Sequence, residues 1–235
     1  ADIVTDPEAV GALASQGMHG IAYWEVMGWH NGDWKSEGIP ELIDNLGHMH
    51  QEGLPSIGIS PHAPYTLESG PFVDLPDIAR QLDMRLHIHL AETPMEAGER
   101  DTTLTTYSAA DWRDGQWASY KQLRAAGKGA SAIQFVDQLG SLGPDVHIAH
   151  GVWADAEDRR ILRQRGVGVA LCPRSNRITV TGRDAPIREY LEEGNLLAVG
   201  TDSLSSSPSL DVLDDAAMIY DLAREQGYTL SLIHI

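Results

Sequence analysis

The sequence predicts an α/β fold built as a (β/α)8 barrel, and three observations carry the prediction. Seven short β-branched or apolar runs recur along the 235 residues. Most are followed by a segment whose apolar residues have helix-like spacing, the alternation expected of parallel strands with crossover helices. Glycines stop several of these segments before the next run, as a helix C-terminus prefers. Seven such units favour a barrel over an open sheet, although periodicity alone does not separate the two.

The strand runs are 2–5, 20–26, 56–60, 85–90, 146–150, 167–171 and 197–201. Between them, residues 39–50, 75–82, 131–139, 156–165 and 186–193 carry the helical pattern. Gly53, Gly143, Gly166 and Gly194 are the stop signals. After the last run, residues 209–226 read as a long amphipathic helix with Ser209 as its cap. Residues 93–130, long and containing Trp and Gly, read as a loop or lid insertion at the catalytic mouth. One unit is missing from the count of eight. The chain starts "ADIVTD" and ends "SLIHI", so the expectation is a single barrel domain over 1–235, truncated at both ends.

Composition narrows the function. Acidic residues number 34 against 17 Lys and Arg, a formal net charge of −17. A nucleic acid would meet repulsion in place of the basic stripe that phosphate binding needs. Cys172 is the only cysteine, which excludes an internal disulfide and makes a reducing compartment the default. With no apolar span of bilayer length and no basic-then-apolar start, the expectation is a cytoplasmic protein acting on a small molecule. A homo-oligomer is left open.

Barrel chemistry gathers where strands end, and the unusual polar residues fall at those points. Glu25 closes the second run and "SPHAPYT" the third, with His62. His89 and Glu92 close the fourth, His150 the fifth, "CPRSN" (172–176) the sixth, and "GTDS" the last, with Asp202. One strand histidine is more often a hydrogen-bonded core residue than a ligand. Their recurrence at corresponding positions of successive units is what argues for a site.

"HLAET", "AHGVW", "CPRSN", "GTDSLSSSPSLD" and "SPHAPYT" resemble the amidohydrolase superfamily, in its metal-dependent deaminase and chlorohydrolase branch. The resemblance runs to about residue 226 with the motifs in order. It implies a barrel holding zinc or another divalent metal such as iron. By resemblance His89 is a metal ligand, and Asp202 both ligates and takes the proton from the attacking water. His150 holds or polarises that water, and Glu92 protonates the ring nitrogen beside the carbon under attack. His62 and Glu25 would meet substrate. Ser175 and Asn176 would brace the loop that positions the ligands, with a plain turn role as the alternative. The family's first-strand His-x-His has no counterpart in place. His48 and His50 lie in a helical segment, and His87 reads as a packed layer beneath His89. The 235-residue chain by itself is therefore expected to be inactive.

The reaction implied is hydrolytic deamination of an aminated heterocycle, a purine nucleoside-like compound of the aminodeoxyfutalosine, adenosine or thioadenosine type. The alternatives are amino- or chlorohydrolysis of a triazine or pyrimidine, and a barrel fragment that is not an enzyme. A cytidine-deaminase-type zinc site is excluded, because its Pro-Cys-x-x-Cys needs a second cysteine.

Overall fold

The computed structural model describes residues 2–49, 56–97 and 130–229. Every predicted run within them is a strand. These are β1 (Asp2–Val4), β2 (Ile21–Val26), β3 (Ser56–Pro61), β4 (Leu86–Leu90), β5 (Val146–His150), β6 (Gly168–Leu171) and β7 (Leu196–Val199). They form one seven-stranded sheet in which spatial order follows chain order from β1 to β7. β1–β2, β2–β3, β3–β4 and β6–β7 pair in parallel. Glu25 stands opposite Ser60, and Leu171 opposite Val199, so the loops after paired strands depart at a common level.

The helices are α1 (Pro7–Ser15), the single turn α2 (Asn31–Asp33) running through a π-turn at Trp34–Gly38 into α3 (Ile39–Met49), α4 (Ser69–Gln81), α5 (Ala132–Gln138), α6 (Ala156–Arg165), α7 (Pro173–Ile178), α8 (Ile187–Glu193) and α9 (Val212–Glu225), with a 3₁₀ turn at Pro94–Glu96. Of the predicted lid, residues 98–129 lie outside the described residues, as do His50, Gly53 and the final "SLIHI".

Two compact units divide the chain. The first holds residues 2–49, 56–88 and 135–147 of those described. Its core is Tyr23, Trp34, Ile59, Phe72, Leu75 and Leu86, all without solvent exposure. α1 has only Val10 buried, so its apolar pattern is faint; the legible signals are the Asp6 cap and Pro7 in the first turn. α4 starts well before the predicted 75–82. Pro76 lies inside it and lacks the N–H that would reach the carbonyl of Phe72. The hydroxyl of Ser141 donates to that carbonyl instead, at 2.5 Å, so the buried oxygen keeps a partner. Gly140, not Gly143, takes the positive φ after α5, at 80°.

The second unit holds residues 89–97, 130–134 and 148–229. Ile148, Leu162, Val169, Ile187 and Tyr190 are buried in it. α6 opens with a capping box between Asp155 and Asp158 and closes on Gly166 at φ 71°; α8 closes likewise on Gly194 at 75°. α9 is capped by Asp211, whose carboxylate accepts the N–H of Leu213. Ser209, expected as that cap, instead accepts from Arg174 and donates to Asp214, because a guanidinium offers it a stronger partner than one helix N–H.

Candidate active site

In the second unit four of the predicted residues come together. His89 and Glu92 leave the end of β4, His150 ends β5, and Asp202 follows β7. The His89 and His150 rings stack with centroids 5.5 Å apart. His150 is almost fully buried, with Nε2 3.8 Å from the Glu92 carboxylate. Its Nδ1 lies 3.0 Å from Oδ1 of Asn176. A carbonyl oxygen only accepts, so Nδ1 is the donor in this contact, and Nε2 is the ring nitrogen left facing Glu92.

Asp202 is held by three donors. The hydroxyls of Ser175 (2.5 Å) and Ser206 (2.8 Å) donate to Oδ2, and the N–H of Ser203 donates to Oδ1. Burial alone would raise its pKa, but the Ser175 hydrogen bond, the charge of His150 and the other two donors bring it below the ordinary aspartate value. Ser175 and Asn176 thus brace Asp202 and His150 respectively. Their own segment is fixed by Arg174, whose N–H and guanidinium bond the fully buried Asp215 of α9.

The backbone at these strand ends is unusual. Ala91 (φ 53°), His150 (φ 74°) and Asp202 (φ 61°) all sit in the left-handed region, at a cost of about 1–2 kcal/mol each for residues with a Cβ. Such conformations persist only where their surroundings enforce them. Gly151 donates to the carbonyl of Leu90 and Trp153 to that of Ala91, tying the exits of β4 and β5 together.

Glu96 is a residue that sequence reasoning misses. It is fully buried, and its carboxylate accepts the N–H groups of Ala91, Glu92 and Thr93 as well as the Thr93 hydroxyl. Burial pushes its pKa up, against the pull of those hydrogen bonds, which favour the ionised form. The spacing Thr93-x-x-Glu96 is a capping-box signature that could have drawn attention to it.

Glu25 and His62 belong to the first unit. His62 Nε2 lies 3.9 Å from Oε1 of Glu25, and its Nδ1 is 2.8 Å from the Thr66 hydroxyl. Burial raises the pKa of Glu25. A cavity of about 140 Å³ beside it is lined by Thr5, Trp24, Trp29, Glu41 and Leu42 among others. His87 is buried against the Tyr23 ring, centroids 5.4 Å apart, as a packed residue would be. His48 is exposed, near Asp44. Burial drives the Cys172 thiol up to about 12, which leaves it inert as a nucleophile.

Residues 6–234 match the Amidohydrolase family, and the chain belongs to it. It is 28% identical over 208 residues to a 5'-deoxyadenosine deaminase of Methanothrix thermoacetophila, covering 88% of this chain and 43% of that protein. Among solved structures, a zinc-bound adenosine deaminase from Xanthomonas campestris superimposes with a TM-score of 0.70 at 23% identity, over 94% of this chain and 46% of that one. Helicobacter pylori aminofutalosine deaminase, in complex with methylthio-coformycin, gives a TM-score of 0.75 at 18% identity, over 96% and 53%. These barrels share the fold of this chain, which spans about half the length of the proteins it matches.

Proposed function

We propose that this protein is a metal-dependent hydrolytic deaminase of a purine nucleoside-like substrate. The observation that carries the reading is the Glu92 carboxylate 3.8 Å from a buried, oriented His150, beside His89 and a three-donor Asp202. The nucleoside class rests on the relatives named for 5'-deoxyadenosine and methylthioadenosine.

His89 and Asp202 are of the donor types zinc takes, an imidazole and a carboxylate kept ionised by its hydrogen bonds, and supply two of the three protein ligands a catalytic zinc needs. His89 and Asp202 would hold the ion. A divalent ion there would supply the means to lower the pKa of water toward neutrality. Asp202, kept ionised by its three donors, would take the proton that water gives up. His150 fixes the position of that oxygen through Nε2. Glu92 would deliver a proton to the ring nitrogen next to the carbon under attack, regain the proton that Asp202 took from water and pass it to the amine, which leaves as ammonia; the hydroxyl proton freed as the new carbonyl forms restores Glu92. Glu25 and His62 bind polar groups of the substrate. The single cysteine suits a reducing compartment, and the cytoplasm is the setting that follows.

The experiment uses protein expressed from the whole reading frame that holds this sequence. Ammonia release is measured on 5'-deoxyadenosine, methylthioadenosine and adenosine, beside metal analysis. Glu92→Gln should retain the metal and lose about 10²–10⁴-fold in turnover, because the amide keeps the shape but cannot carry the proton. A wild-type protein inert on all three substrates, or a Glu92→Gln variant with near-normal turnover, would overturn the assignment.

A further inference from the structure

Glu96 lies outside every role assigned above, yet no carboxylate in the described structure is better satisfied or less exposed than this one. A capping glutamate for the short Pro94–Glu96 turn needs only the N–H of Thr93, which it has at 3.0 Å. Two further N–H groups converge on it from outside the turn: that of Ala91 on Oε1 and that of Glu92 on Oε2, each at 3.0 Å. Three consecutive amides aimed at one carboxylate require a chain reversal, and the left-handed Ala91 supplies it. Here the chain turns off β4 and presents the Glu92 side chain toward His150.

We infer that Glu96 is a positioning residue, a buried clamp on the 91–93 backbone that sets the direction of the Glu92 carboxyl. The inference rests on the proton-transfer role proposed for Glu92. The three amides leave Glu92 no freedom in its own φ or in the peptide before it, so its side chain starts from a fixed point. A displacement of order 1 Å at a reacting group can cost about 10²-fold in rate, and the comparable outer partners that orient metal ligands contribute about 10–100-fold. In Glu96→Gln the amide nitrogen would turn a donor toward one of the backbone N–H groups, breaking part of the clamp at unchanged volume.

The test again uses the protein from the whole reading frame, comparing Glu96→Gln, Glu92→Gln and the double variant. Glu96→Gln should lower kcat by about 10–100-fold with KM within a few-fold and metal content retained. The double variant should turn over no more slowly than Glu92→Gln alone, since a clamp has no effect once the group it aims is gone. A double variant slower by the product of the two effects would overturn the inference and make Glu96 a general structural support. A third measurement stands apart from catalysis: amide exchange at residues 91–93 should quicken in Glu96→Gln. Unchanged protection there would overturn the clamp even if the wild-type protein deaminated nothing. Quickened exchange in a protein inert as a deaminase would sustain the clamp and sink only the reaction.

Discussion

Asp158 is a carboxylate taken out of water inside the second unit, 1% exposed. The Ser131 hydroxyl and the Gln134 amide donate to Oδ1, and the N–H of Asp155 donates to Oδ2. Burial nevertheless dominates and lifts its pKa from 3.8 to about 6. A raised folded pKa means stability that is complete below the unfolded value and lost as pH rises through the folded one. The loss falls between pH 3.8 and about 6, and its size is about 3 kcal/mol. Melting temperature followed from pH 4 to 7 should therefore decline more steeply in wild type than in Asp158→Asn; equal slopes would show that the group stays ionised throughout. His89, Glu92, His150 and Asp202 are legible in sequence because strand ends advertise themselves through the short apolar runs that precede them. Glu96 and Asp158 are not. Their partners are backbone amides or side chains distant in sequence, and in one dimension each is only an acid near a helix start.

Helix α4 shows where the sequence signal fails at the level of an element. Its apolar pattern is clear only from Leu75 onward, whereas Gly70, Pro71 and Pro76 all argue against a helix. The helix forms because Phe72 and Leu75 are fully buried and because Ser141 satisfies the carbonyl that Pro76 leaves over. Removing that hydroxyl strands a buried acceptor, which costs about 1–3 kcal/mol. Ser141→Ala should lose that much in urea denaturation, and much less in a Pro76→Ala background, where the helix regains the missing N–H. Equal losses in both backgrounds would show that Ser141 matters for another reason. The strands, by contrast, are all legible: runs such as "LHIHL" and "VHIAH" are short and bounded, and the first alternates apolar residues with histidine.

Over the whole molecule the acidic excess sets the response to solvent. A net charge of −17 on 235 residues is self-repelling in the compact state. Raising sodium chloride from about 0.01 to 0.15 M shortens the Debye length from about 30 to 8 Å, so the melting temperature should rise across that range. A fall would mean that specific ion pairs, such as Arg174 with Asp215, outweigh the general repulsion. The sheet carries a different consequence. Because its strands lie in chain order, each new strand emerging during synthesis pairs with the one made just before it. Among the described strands, each has its neighbour in the chain as its neighbour in the sheet. Contacts are closed over one crossover at a time, which keeps the entropy of each closure small and lets a parallel sheet, ordinarily slow to assemble, grow at the pace of translation.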